Sequence, residues 1–97
     1  MFRLYSSNNY GENWQVFDEG LDGHSILRMY PTSNGVLLCS CAYDGIYKFS
    51  DYTGKWAHVY GSGFYKNFAE DLNGNIYACG YATGIRKSNY RRKSGIR

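Results

Sequence analysis

The chain has 97 residues, of which 43% are hydrophobic and 19% aromatic, and its formal net charge is +3. This length allows one small domain, and this apolar content excludes a disordered chain. The longest apolar run, residues 36–39, is far shorter than the roughly 18 residues that span a membrane. The first residues lack the pattern of a secretory signal. We therefore expect neither a membrane segment nor a signal peptide in this chain, and its localisation stays open.

Short runs of aromatic and β-branched residues alternate with glycine-rich turns, which predicts strands rather than helices. We place nine strands in chain order, near residues 2–6, 14–18, 25–30, 36–41, 45–49, 56–60, 64–69, 75–80 and 84–87. The turn Asn34-Gly35 joins the third strand to the fourth. The predicted fold class is all-β.

One segment of the chain occurs twice. Residues 34–48 align without a gap to residues 73–87, at an offset of 39. The identical pairs are Asn34/Asn73, Gly35/Gly74, Gly45/Gly84, Ile46/Ile85 and Lys48/Lys87. A fixed period of this length is typical of repeat proteins, in which each repeat is one supersecondary unit.

A second motif recurs at a similar period. Residues 7–14 read Ser-x-Asn-x-Gly-x-x-Trp, and residues 50–56 read Ser-x-x-x-Gly-x-Trp, which is one residue shorter. The motif residues are Ser7, Asn9, Gly11 and Trp14 in the first copy and Ser50, Gly54 and Trp56 in the second. In a tight hairpin an Asn side chain accepts from free backbone N–H groups, Gly permits a positive φ, and Trp packs against the turn. We therefore interpret the motif as a folding device.

These two motifs resemble the Asp box of the BNR/Asp-box repeat family, the sialidase-like propeller repeats. In that family the box closes the hairpin between the third and fourth strands of a blade. The resemblance implies antiparallel four-stranded propeller blades with Asp-box hairpins, in an incomplete propeller of about two blades over residues 1–87. It divides the chain into a half blade (1–18), a full blade (25–60), an incomplete blade (64–87) and a basic tail (88–97).

An incomplete propeller leaves apolar faces and sheet edges open. Two explanations remain open, of which completion by self-assembly is the one we expect. The chain is the fragment of a longer propeller, or it is a protomer that completes the ring as a homo-oligomer, with chains complementing each other head to tail.

The sequence contains no recognisable catalytic constellation. Glycoside hydrolysis needs two carboxylates that flank a pocket. The acidic residues instead cluster between residues 18 and 22 and at Glu70-Asp71, where solvated loop acids are expected. The arginine triad of sialidases cannot be built, because Arg3 and Arg28 are the two arginines before residue 86. We predict a non-catalytic structural or interaction module, and the alternative is a fragment of a sialidase-like or other glycoside hydrolase propeller.

Two tyrosines are the candidate ligand-binding residues. Tyr43 and Tyr81 lie in loops between the second and third predicted strands of successive units. Exposed aromatic rings can stack on sugars, so a glycan is one candidate partner and a protein is another. Packing of both rings between blades is the alternative.

The remaining chemistry of the chain is sparse. Its three cysteines and two histidines lack the spacing of a metal site, so we predict free thiols, no metal and no cofactor. Residues 1–85 hold five Lys/Arg and eight Asp/Glu, a balance of −3, whereas residues 86–97 hold six Lys/Arg and no acid, a balance of +6. A basic tail can bind nucleic acid, but we favour a solvated terminus and expect no nucleic-acid partner.

Overall fold

A computed structural model describes residues 3–80 and 84–88 of the chain. These ranges contain nine strands and no helix, so none of their segments is a helix that could cross a membrane. The strands are β1 (Tyr5–Ser6), β2 (Gln15–Val16), β3 (Ile26–Pro31), β4 (Leu37–Cys41), β5 (Gly45–Ser50), β6 (Lys55–Tyr60), β7 (Asn67–Glu70), β8 (Ile76–Gly80) and β9 (Gly84–Ser88). The predicted all-β class is confirmed, and the strand ends differ from the predicted ones by at most three residues. Tyr81 and the predicted tail after Ser88 lie outside the described residues.

The strands form three antiparallel sheets in chain order. β1 and β2 form a two-stranded sheet, here called the first hairpin. β3 to β6 form a four-stranded sheet and β7 to β9 a three-stranded sheet, both in sequential strand order. Within each sheet, every strand pairs with the next strand of that sheet. The two larger sheets are therefore meanders, and their strand pairs join segments that are close in sequence.

The three-stranded sheet repeats the strand pairing of the four-stranded sheet at an offset of 39. β4 and β5 pair Ser40 with Ile46, and β8 and β9 pair Cys79 with Ile85. β3–β4 and β7–β8 also follow this offset at every pair from residue 28 onwards. The sequence repeat is therefore also a repeat of hydrogen-bonding register.

The first hairpin repeats the outer hairpin of the four-stranded sheet at an offset of 42. Tyr5 lies opposite Val16 in β1–β2, and Tyr47 lies opposite His58 in β5–β6. The next pair in each hairpin keeps the same offset. This register fixes which faces of the two hairpins are equivalent, because side chains alternate between the two faces of a strand.

A core fills the space between the first hairpin and the four-stranded sheet. Its fully or almost fully buried side chains are Leu21, Cys39, Cys41, Tyr47 and Trp56. Leu4 and Phe17 of the hairpin segment pack against them. The indole Nε1 of Trp56 donates to the carbonyl of Phe17 at 2.9 Å, so this contact is both apolar and directional.

A second core lies between the four-stranded and three-stranded sheets. Ile46 and Ala78 are buried there, and Phe68 packs against them. The ring of Tyr30 stacks on Phe68 with 5.5 Å between centroids. At the rim of this core the Glu70 carboxylate accepts from the Tyr30 hydroxyl at 3.0 Å and from Ser33. The three sheets thus stack face to face in chain order, and the central sheet is covered on both faces at β4 and β5, whereas β6 is exposed except at Trp56.

A close backbone approach requires glycine at the start of β5. Gly45 has a φ of +80°, and a Cβ there would lie 2.3 Å from the carbonyl oxygens of both Tyr60 and Gly61. Only glycine fits this contact, because it has no Cβ. The contact holds the β4–β5 turn against the end of β6.

Candidate functional site

Several titratable side chains meet at one end of the four-stranded sheet, where β3 and β5 begin and β4 and β6 end. This group comprises His24, Asp44, Tyr47 and His58 and is called the polar end below. Asp44 lies at its centre on the β4–β5 turn: its Oδ2 accepts from the Tyr47 hydroxyl and lies 3.1 Å from Nε2 of His24. The carboxylate therefore joins the chain segment before β3 to the β4–β5 hairpin.

The Tyr47 hydroxyl acts as a fixed hydrogen-bond donor. Its side chain is buried, and this burial together with the hydrogen bond to Asp44 raises the pKa of Tyr47. Two imidazoles contact its ring: His58 edge-on with 5.2 Å between centroids, and His24 with 6.2 Å. Nε2 of His58 lies 2.7 Å from the carbonyl oxygen of Gly61, which orients this imidazole. The arrangement holds both imidazoles in place beside a neutral phenol.

Tyr43 stands beside the polar end in a conformation that disfavours a large side chain. Its φ is +66°, in the left-handed region, where most residues other than glycine are strained. The side chain is 75% exposed, and its ring meets Phe64 edge-on with 4.5 Å between centroids. Strain of this kind clusters at ligand sites. At the offset of 39 Tyr43 corresponds to Ala82 and Tyr81 to Ala42, so the two predicted tyrosines do not occupy equivalent positions.

An ion pair lies next to the polar end, on the hairpin side. Arg3 donates from Nε and Nη2 to the two oxygens of Asp18 at 2.9 and 3.2 Å, and the backbone N–H of Leu4 donates to Oδ2 at 2.9 Å. The Arg3 hydrogen bonds, then the Leu4 N–H, hold the pKa of Asp18 below its ordinary value. Asp18 is therefore a fixed anion rather than a proton donor.

A cavity of about 130 Å³ opens between this ion pair and the polar end. It is lined by Arg3, Leu4, Asp18, Leu21, Gly23, His24 and Ile26. The wall combines aliphatic side chains with the Arg3–Asp18 ion pair and His24. No group of three or more His, Cys, Asp or Glu side chains with metal-binding geometry occurs within residues 3–80 and 84–88.

The first copy of the Ser…Gly…Trp motif closes its loop through side-chain hydrogen bonds. Ser7 Oγ accepts from the backbone N–H of Gly11 at 2.9 Å and of Asn9 at 3.3 Å. Asn9 Oδ1 accepts from the N–H of Asn13 at 2.9 Å, and the Trp14 indole donates to the Gly11 carbonyl at 2.9 Å. These side chains supply the partners that the irregular loop backbone lacks.

The second copy is built differently. Ser50 Oγ accepts from the N–H of Thr53 at a longer 3.3 Å, and the N–H of Gly54 donates to the Ser50 carbonyl at 2.8 Å. The strand pairing repeats at an offset of 42, which places Phe49 at the position of Ser7. The two serines are 43 residues apart, so Ser50 lies one residue beyond the position that is structurally equivalent to Ser7. The strand pairing sets this alignment: Ser6 pairs with Gln15 and Lys48 with Ala57, so equally long segments join the equivalent pairs, although β5 and β6 continue to pair as far as Ser50 and Lys55.

Sequence reasoning missed a pair of turn residues that are 39 apart. Thr32 Oγ1 accepts from the Val36 N–H at 2.9 Å in the β3–β4 turn, and Asp71 Oδ1 accepts from the Asn75 N–H at 3.0 Å in the β7–β8 turn. Asn75 and the other donors in the turn lower the pKa of Asp71 to about 2. A comparison of identical residues cannot find Thr32 and Asp71, but both are turn-capping types located two residues before an Asn-Gly pair.

The His24–Asp44 contact was also missed, and no signal in the sequence indicates it. The two residues are separated by a whole hairpin, and only the fold brings them together.

Comparison with models of protein families, with curated proteins and with solved structures gives no match for this chain. The site is therefore interpreted from its own geometry.

Proposed function

We propose that the chain is a non-catalytic structural and interaction module of the Asp-box propeller type, which binds a glycan or a protein at the polar end. The propeller arrangement is supported by the registers that repeat at offsets of 39 and 42 and by the stacking of the sheets in chain order. Further sheets, from a longer propeller or from other copies of the chain, would complete the ring.

The observation that carries the binding role is the conformation of Tyr43 together with its position beside the partly exposed Asp44 and His24. Tyr10 has a similar φ but no such neighbours among the described residues. A glycine at this turn position would satisfy the backbone without strain, yet the chain has a tyrosine whose ring is mostly exposed. Rings of this kind provide a stacking face for sugars and for protein side chains. Asp44 and His24 each retain partly exposed side chains and supply hydrogen-bonding groups nearby. A glycan is the partner that best fits this combination of stacking face and polar groups.

The glycoside hydrolase alternative is less well supported by the same site. Asp18 is occupied by Arg3 and the Leu4 N–H, and Asp44 by Tyr47 and His24. A hydrolase needs one carboxylic acid that can release its proton to the leaving group. Neither carboxylate has an arrangement that favours this role.

A glycan array combined with a panel of chromogenic glycosides tests the proposal. The informative variant is Tyr43→Gly, which keeps the positive φ and removes only the ring. The matched control is Tyr52→Ala, a fully exposed tyrosine in the β5–β6 turn at the opposite end of the sheet. We expect the unmodified chain to bind at least one glycan, Tyr43→Gly to weaken this binding at least about tenfold, and Tyr52→Ala to leave it unchanged. Turnover of a glycoside by the chain would favour the hydrolase alternative, and equal binding by both variants would refute the role of Tyr43.

A further inference from the structure

The outer face of the first hairpin is an open apolar surface. Tyr5 and Val16 lie opposite each other on this face and are 52% and 50% exposed, and Trp14 beside them is 62% exposed. The opposite face of the hairpin segment packs Leu4 and Phe17 into the first core. The surface of Tyr5, Trp14 and Val16 is called the head face below.

The fold itself contains a covered version of the head face. At the offset of 42, Tyr5 corresponds to Tyr47 and Trp14 to Trp56, with the same residue types at both positions. Tyr47 and Trp56 are only 5% and 3% exposed, because the first hairpin and its linker lie over them. Within this chain, the Tyr47 and Trp56 surface of the four-stranded sheet is thus covered by the first hairpin, which precedes that sheet in the stack.

The far face of the three-stranded sheet is partly open, because Ala69 and Lys87 are exposed and Tyr77 and Cys79 are half-buried. Ala69, Tyr77 and Lys87 lie in register across β7, β8 and β9, and the Lys87 Nζ lies 5.8 Å from the centre of the Tyr77 ring. Cys79 is on the same face by strand alternation. The surface of Ala69, Tyr77, Cys79 and Lys87 is called the tail face below.

The tail face also has a covered counterpart in the chain. At the offset of 39, Tyr77 corresponds to Leu38 and Cys79 to Ser40, which are 7% and 0% exposed on the four-stranded sheet. The three-stranded sheet packs over this side of the four-stranded sheet through the second core. The tail face is therefore the surface on which the next sheet of the stack would lie.

We propose that the head face of one copy of this chain docks on the tail face of a second copy. The chain makes two successive sheet-on-sheet contacts of this kind, and docking would add a third with equivalent positions on each side. The contact joins different surfaces of the two copies, so it is heterologous and leads to a ring or to an open chain of copies. This inference rests on the repeated stacking that supports the proposed function, and it names a second copy as the partner that covers the open faces.

Two single substitutions on opposite faces test the contact. Val16→Lys places a charge on the head face, and Ala69→Lys places a second positive charge beside Lys87 on the tail face. A charge buried without a partner weakens association strongly, so each variant should raise the apparent Kd for self-association at least tenfold, as measured by sedimentation velocity. Leu72→Lys in the exposed β7–β8 turn is the matched control and should leave the mass of the assembly unchanged. Far-UV circular dichroism checks that all three variants keep the fold.

Mixing the two face variants identifies the geometry. The Val16→Lys chain retains its tail face and the Ala69→Lys chain retains its head face, so an equimolar mixture should form one-to-one dimers that grow no further. A head-to-head or tail-to-tail contact would instead leave one variant self-associating by itself. An unmodified chain that stays monomeric at every concentration, or a mixture that stays monomeric, would overturn the inference. A monomer whose glycan binding still depends on Tyr43 would overturn only this docking contact, whereas loss of glycan binding with assembly intact would overturn only the proposed function.

Discussion

The two tryptophans of the chain are expected to contribute very unequally to stability, although they occupy equivalent positions 42 residues apart. Trp56 is buried between Phe17 and Phe49, with 5.8 and 5.5 Å between ring centroids, and donates to the Phe17 carbonyl. Trp56→Phe leaves this buried carbonyl without its donor, which costs about 1–3 kcal/mol. The lost ring adds about 1 kcal/mol through imperfect packing, so the total is about 3 kcal/mol. Trp14→Phe alters an exposed side chain and should cost less than about 1 kcal/mol.

Urea denaturation followed by far-UV circular dichroism measures this difference, at concentrations low enough that no second copy covers Trp14 on the head face. With an m-value of about 1 kcal/mol/M, Trp56→Phe should lower the midpoint by about 3 M and Trp14→Phe by less than about 1 M. Each variant also leaves one tryptophan as a fluorescent reporter. The native emission of Trp14→Phe should be blue-shifted, because only the buried indole remains. Equal losses of stability in the two variants, or equal emission maxima, would refute the assignment of Trp56 to the core between the sheets.

Three further predictions address the turns. Gly45→Ala should destabilise the chain by more than about 3 kcal/mol in thermal unfolding, because two backbone carbonyls must move to make room for the Cβ. Gly54→Ala has open space around it and should cost only about 1 kcal/mol of backbone strain. Similar costs for the two variants would contradict the close backbone approach at Gly45. The pKa of Asp71 is about 2 in the folded chain against an ordinary value of 3.8, so its stabilising effect is complete above that ordinary value and is lost as the pH falls towards 2. Asp71→Asn should therefore flatten the dependence of the unfolding midpoint on pH in this acid range, and an unchanged slope would argue against the turn network. Ser7→Ala removes an acceptor shared by two backbone N–H groups and should cost about 1 kcal/mol, clearly more than Ser50→Ala in the same denaturation assay.

The sequence was a reliable guide to the strands and to the first of the two repeats. Alternating apolar residues bounded by glycine-rich turns placed all nine strands, and the identical Asn-Gly and Gly-Ile pairs revealed the offset of 39. The offset of 42 was harder to read from the sequence. Ser7 matches Ser50 by residue type, but the strand pairing makes Phe49 its structural equivalent. Equivalent pairs in the two hairpins are joined by segments of equal length, but the serine lies one residue later in the second copy, at the last paired position of β5.

The polar end could not be predicted from the residue pattern. His24 and Asp44 have no spacing relation in sequence, and their contact depends on how the linker before β3 lies beside the β4–β5 turn. The unequal burial of Trp14 and Trp56 was equally invisible, because it depends on whether a neighbouring sheet covers the residue. Local sequence determines strands and turns, whereas burial and long-range contacts follow from the packing of whole sheets.

Nuclear Overhauser contacts in the isotopically labelled chain test the repeated stack most directly. The repeated stack predicts backbone contacts between Cys79 and Ile85 that match those between Ser40 and Ile46, together with contacts from the Phe17 ring to Trp56 and from the Tyr30 ring to Phe68. A pairing of β8 with β9 that is shifted by one residue, or the absence of both ring contacts between sheets, would contradict it.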